Sequence, residues 1–232
     1  MEFPEYPYPR EEYSAANFMY KVYGWMSLGL AVTAGVAFYI FKNPSLYAPI
    51  EKNPWLLIVL IILQLVLVIV LSAFILKLSF PVAFLLFLFY AFTVGVTFSF
   101  IFQVYIISSI YATFFVTSGM FAITCLYGYF TKADLTAMGS FAFMALIGLI
   151  LTGLVNMFLQ SAMLDYIYSA VGVIVFTLLT AYDSQKIKQM ARRLMGSAQM
   201  RNKIAIMGAL TLYLDFINLF LFLLRFMGKK EN

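Results

Sequence analysis

Seven stretches of nearly unbroken apolar residues, separated by short polar connections, organise this chain. They fall at roughly Phe18 to Phe41, Trp55 to Leu76, Phe80 to Phe102, Ile107 to Phe130, Met138 to Leu159, Tyr166 to Tyr182 and Ile204 to Met227. A hydrocarbon core of about 30 Å, crossed at about 1.5 Å per residue, needs about 20 apolar residues, so each stretch predicts a membrane-spanning helix. Asn43-Pro44 and Asn53-Pro54 bracket the first connection, Lys77 and Pro81 mark the second, and Lys132 to Asp134 mark the fourth. Connections this short predict antiparallel neighbours in one compact bundle. Small residues spaced four apart, Ser27 with Ala31 and Gly148 with Thr152, predict close approach between helices.

Residues 1–17 hold three prolines, at positions 4, 7 and 9, and four glutamates, a composition that predicts an extended or disordered tail. A basic segment followed by a short apolar run and a cleavage site is missing, so this is not read as a signal peptide. Residues 18–228 then form a single membrane domain, with 229–232 as a short C-terminal tail. Lys and Arg on alternate sides of the bundle total ten on the side of the N-terminus and five on the other. By the positive-inside rule the N-terminus is expected in the cytoplasm. A last helix that turned back would sharpen that ratio to thirteen against two. Its apolar length of about 24 residues equally permits a full crossing, so charge and length point to different ends for the C-terminus.

Composition agrees with lipid as the main solvent. The 232 residues are 64% hydrophobic and 11% charged, where soluble domains average about 45 to 50% and about 25%; the mean hydropathy is +0.94. There is no histidine, and the single cysteine, Cys125, lies inside an apolar run. The usual zinc sites, Ser-His-Asp triads, Cys-His dyads and any disulfide framework are thereby removed. The net charge of +5 serves topology, and nucleic acid is not an expected partner.

Because most charges sit in tails and connections, those inside apolar runs stand out. Asp215, in LTLYLDFINLFLFLLRF, lies about eleven residues from either end of the last helix. A carboxylate at that depth costs about 2.5 to 3.5 kcal/mol on insertion scales, so it is expected to face protein or water. Thr211, Asp215 and Asn218 share one helical face, which Gly208 continues. The alternative is a buried acid that only fixes packing. Asp183 follows VFTLLTAY and precedes SQKIKQMARR; its alternative is a headgroup-level acid paired with Lys186 or Lys188. With helices entering at Tyr166 and Ile204, the two acids differ in depth by about 11 Å, a gap that tilt reduces. If they meet, two carboxylates in low dielectric share a proton, and when both are ionised they offer hard oxygens for a weakly held Ca²⁺, with Thr211 and Asn218 as auxiliaries. Gln64 and Asn156 are read as interhelical hydrogen-bonding amides. Lys77 either snorkels to the headgroups or swings toward an acid. Asp165 and Arg225 mark helix ends, and the basic stretch from Lys186 to Lys203 is an anchor on the anionic leaflet.

The strings FTLLTAYDSQKIKQM and GALTLYLDFINLFLFLLRFMG, together with MYKVYGWMSLGL, GMFAITCLYGYFTKADL and MALIGLILTGLVN, resemble the bacterial branch of the transmembrane Bax inhibitor motif, or Bax inhibitor-1, family from about Asn17 to Gly228. The resemblance implies an all-α bundle of seven transmembrane helices with the last helix central. It implies that the aspartates matching Asp183 and Asp215 form a pH-sensing pair governing a slow calcium leak. It also implies a basic partner near the end of the second helix, matched by Lys77; the relatives carry Arg there, and Lys supplies a point charge without bidentate geometry.

The expected function is therefore a pH-gated calcium leak in a bacterial inner membrane, with lipid, protons and Ca²⁺ as partners and no cofactor. The alternative is a non-conducting protein whose acidic tail and basic connection dock a membrane protease or a stress-response partner. Intramembrane aspartyl proteolysis is disfavoured: Tyr182-Asp183 supplies half of the expected motif, but no Gly-Leu-Gly-Asp accompanies it.

Overall fold

Prolines begin two of the helices and side-chain hydrogen bonds end others in the computed structural model, which describes residues 15–193 and 198–231. Most of the expected tail, residues 1–14, and residues 194–197 of the basic connection lie outside the described residues. The helices are α1 (Ala15–Lys42), α2 (Pro44–Lys52), α3 (Pro54–Phe74), α4 (Phe80–Phe98), α5 (Ile101–Val104), α6 (Ile107–Phe130), α7 (Thr136–Leu159), α8 (Ala162–Arg193) and α9 (Ala198–Met227). Seven segments are long and apolar enough to cross a membrane, α4 and α5 counting together. The chain is thus an all-α seven-helix membrane bundle.

Local chemistry explains the departures from the apolar pattern. The third span breaks at Ser99, whose hydroxyl donates to the Val96 carbonyl (2.7 Å) and competes with the helix ladder. Gln160, at φ 49°, ends α7 in the left-handed region and donates its N–H to the Asn156 carbonyl. Asp134 precedes α7 and accepts from the Thr136 N–H (2.9 Å) and hydroxyl (2.6 Å), which holds its carboxyl below the usual carboxylate range. The first connection folds into α2, and α8 and α9 both run beyond the apolar stretches that predicted them.

The last helix is the hub. Seventy-two per cent of the membrane-spanning window of α9 is buried, against 39% or less for the others, and α1, α4, α6 and α8 pack directly on it. Tyr213 pins it in place. The Thr33 hydroxyl gives its proton to the Ala91 carbonyl (2.9 Å), so the Tyr213 hydroxyl, 2.6 Å away, must donate to Thr33. One chain of hydrogen bonds therefore links α9, α1 and α4, while Phe87 and Tyr90 meet the Tyr213 ring edge-on.

Close helix approach occurs at glycines, not at the small-residue pairs singled out from spacing. A Cβ on Gly95 would lie 2.8 Å from the Thr33 carbonyl oxygen, and one on Gly172 would overlap the Phe222 ring. Ser27 and Ala31, by contrast, are exposed, and Gly148 has open space around it. Those pairs face lipid because four-residue spacing defines a stripe without saying which way it points.

Contacts at the two ends fix the course of α9. At one end Lys21 donates to the Asn202 side chain (3.1 Å), Lys203 to the Leu76 carbonyl (2.8 Å), and Lys188 to the Tyr129 carbonyl. At the other end the Ile106 N–H donates to the Lys229 carbonyl (3.1 Å), the Glu231 N–H to the Val104 carbonyl (3.0 Å), and Arg225 pairs with Asp165. The last helix therefore crosses the whole bundle, and the C-terminus lies at the end with fewer basic residues.

Candidate functional site

Asp215 occupies the middle of the central helix and is 5% exposed. Its Oδ2 oxygen is enclosed and accepts no hydrogen bond. An unsatisfied buried carboxylate oxygen carries a desolvation cost of about 1 to 3 kcal/mol or more, so the fold retains it against its own stability. Asp183 stands near it across the seam between α8 and α9. Gly208 lies against Ile187 and Gly172 against Phe222, and this antiparallel register sets Asp183 level with Thr211 and Leu212. Three to four residues at 1.5 Å each leave an offset of about 5 Å along the axis to Asp215. The sequence-based gap of about 11 Å shrinks because this register sets Ile204 level with about Ala191, about 12 Å beyond Asp183 rather than about 5 Å.

Other titratable groups converge from neighbouring helices. The Tyr23 hydroxyl of α1 lies 3.3 Å from the Ser184 hydroxyl, which donates to the Cys125 carbonyl of α6 (3.0 Å). Lys186, three residues along α8 from Asp183, is the basic residue nearest that acid on its own helix, and its Nζ lies 5.4 Å from the Tyr182 ring centroid. Lys77 does not take this place: it is exposed three residues past the end of α3, with Nζ 5.5 Å from the Phe74 ring centroid. The structure thus sets the two aspartates within about one helical turn of each other along the α8–α9 seam, and Lys77 stays outside.

The remaining members of the polar stripe divide between two levels. Thr211, level with Asp183, donates to the Met207 carbonyl (3.1 Å). Asn218 lies one turn beyond Asp215, donates to the Leu214 carbonyl (2.8 Å), and lines a cavity of about 500 Å³ at the far end. Asp165, Arg225 and Lys230 also line that cavity, and Arg225 and Asp165 are 3.4 Å apart. Together the polar positions form a line from Asp183 through Asp215 and Asn218 to the cavity. Among the described residues, no group of three or more His, Cys, Asp or Glu converges as a metal cage would need.

Gln64 does bridge helices, donating to the Thr93 carbonyl (3.0 Å) and the Thr97 hydroxyl (2.8 Å). Asn156 does not: its Oδ1 accepts from the Ser161 N–H (3.1 Å) and closes the turn after α7. Tyr23 and Ser184 were not singled out from sequence. The adjacency of Ser184 to Asp183 was the one signal available, and Tyr23 gave none.

The chain matches the family described as Inhibitor of apoptosis-promoting Bax1 over residues 15–232. It is 51% identical to the inner membrane protein YbhL of Escherichia coli K12 over 217 residues, covering 93% of this chain and 92% of that protein. A protein of Borreliella burgdorferi is 44% identical over 216 residues, 93% of each chain. A membrane protein of Streptococcus pyogenes serotype M3 is 33% identical over 227 residues, 97% of each. The names of the E. coli and S. pyogenes relatives indicate membrane proteins and no catalytic activity. Matched across nearly its whole length, the chain belongs to the Bax inhibitor-1 family of membrane proteins.

Proposed function

We propose that this protein is a slow, pH-sensitive leak pathway for calcium across a bacterial inner membrane, with its N-terminus in the cytoplasm. The observation that carries the reading is the enclosed, unpaired Oδ2 of Asp215 about one helical turn from Asp183. In low dielectric the two carboxylates do not both ionise cheaply, so they hold one proton between them. Loss of that proton leaves two negative charges whose cheapest compensation is a divalent cation with a preference for oxygen. Two acids bind such an ion weakly, which suits passage rather than storage.

Thr211 and Asn218 extend the path on either side. Each spends a donor on its own helix, to Met207 and Leu214 respectively, and keeps an oxygen as acceptor. Lys186 and the Tyr23–Ser184 contact border the pair on the basic end. The inner-membrane location rests on the E. coli relative's name, and the orientation on the basic end of the bundle.

The test is calcium flux into dye-loaded proteoliposomes. Flux should rise between about pH 6 and about pH 8 as the shared proton leaves, and Asp215→Asn should flatten that rise. A pH response unchanged in both Asp183→Asn and Asp215→Asn would contradict the proposal.

A further inference from the structure

A second cavity, of about 350 Å³, opens sideways between α1 and α6 in the half of the bundle opposite the basic end. Its wall includes Leu30 and Ala34 of α1, Phe115 of α6, and Phe216, Ile217 and Phe220 of α9. Phe216 directly follows Asp215, so the floor of this crevice is the central helix at the level of the aspartate pair. No charged side chain lines it. The one buried hydroxyl in the wall, that of Thr33, is already bonded to the Ala91 carbonyl and to Tyr213. A polar solute would find almost nothing to bind there, and the opening meets hydrocarbon rather than water.

The end of the crevice has a different chemistry. Phe102, part of its lining, stacks on Phe41 at 5.0 Å and meets Phe38 edge-on at 6.4 Å. Over those two rings sits the ammonium group of Lys42, 5.5 Å from Phe38 and 5.9 Å from Phe41. Lys42 is exposed in the last turn of α1 and forms no salt bridge among the described residues. An apolar slot inside the hydrocarbon, capped by a basic residue at its boundary, has the polarity profile of a phospholipid: an acyl chain below and a phosphate above.

We propose that the crevice seats one acyl chain of a membrane phospholipid whose phosphate pairs with Lys42, so that lipid packs directly against the turn of α9 carrying Asp215. Packing, not water exclusion, holds the chain, because bulk lipid is as apolar as the slot. The seated lipid exchanges with the bilayer and is selected by fit and by its headgroup charge.

Photocrosslinking tests this in proteoliposomes of phosphatidylethanolamine and phosphatidylglycerol doped with a phosphatidylglycerol that carries a diazirine midway along one chain. Peptide mapping should find adducts on the Ala34 and Phe115 segments in excess of those on the lipid-facing α3 residues Ile62 and Leu65, which report random collision. Filling the slot with Ala34→Phe should deplete crevice adducts and leave α3 labelling unchanged. Lys42→Gln, an exposed change that leaves the core intact, should lower crevice labelling about fivefold, the weight of one basic residue at an anionic surface, and Lys42→Arg should restore it. Crevice labelling no denser than that of α3, or labelling indifferent to Lys42→Gln, would overturn the proposal. Displacement by free fatty acid but not by unlabelled phospholipid would overturn it as well. None of these readouts depends on calcium flux.

Discussion

The Tyr23 hydroxyl on α1 lies 3.3 Å from the Ser184 hydroxyl on α8, beside Asp183. Ser184 gives its proton to the Cys125 carbonyl on α6, which makes Tyr23 the donor to Ser184. Three helices therefore meet at one hydroxyl next to the aspartate pair. Tyr23→Phe removes a donor and should cost about 1 kcal/mol, whereas Ser184→Ala also strands the Tyr23 hydroxyl and should cost about 1 to 3 kcal/mol. Thermal unfolding in detergent checks the order, and a larger loss for Tyr23→Phe would contradict it.

Glycine positions on packed and lipid-facing surfaces should respond in opposite directions. Gly95→Ala places a methyl group against the Thr33 carbonyl and Val36 and should destabilise by about 1 to 3 kcal/mol. Gly148→Ala enters open space and should be neutral or gain up to about 1 kcal/mol from helix propensity. Unfolding midpoints of the two variants, measured in one detergent, make the comparison.

Gln185 clamps the connection between α6 and α7. Its amide donates to the Ala133 carbonyl (2.8 Å) and accepts from the Leu135 N–H (3.0 Å). Gln185→Ala leaves both backbone groups unpaired and should cost about 1 to 3 kcal/mol. Limited trypsin digestion should then cut faster after Lys132, while an unchanged rate would mean that the connection is held by other contacts.

The ion pair at the far end should be weak. Arg225 and Asp165 remain 45% and 39% exposed, so Arg225→Gln and Asp165→Asn should each cost less than about 1 kcal/mol, and the double variant no more than the sum of the two. A double-mutant cycle of unfolding free energies measures the coupling, which should decline in high salt.

The seven spans were legible because a bilayer imposes a length on apolar runs, and the Asn-Pro pairs at 43–44 and 53–54 marked their edges. The helix limits were less so. Hydropathy reports where lipid ends, but α8 continues through Lys186 and Lys188 to Arg193 because those residues favour helix and bind neighbouring elements. The contacts of Gly208 with Ile187 and Gly172 with Phe222 set Ile204 level with about Ala191, so Asp183 lies closer to Asp215 than the apolar limits implied. Charge totals left the course of the last helix open, and the pairing of Ile106 with Lys229 decides it. Asp215 was visible because charge is scarce inside the spans. Tyr23 and Ser184 were not, since their contact joins positions 161 residues apart and both residue types are common in such helices.

The shared proton is the central claim, and a double-mutant cycle on the pH response tests it most directly. Calcium flux at about pH 6 and about pH 8 should be compared for the unaltered protein, Asp183→Asn, Asp215→Asn and the double variant. If one proton belongs to the pair, each single substitution removes nearly the whole pH response and the double variant removes no more. Two partial losses that add to the full response would show separate protons on separate sites and contradict the account.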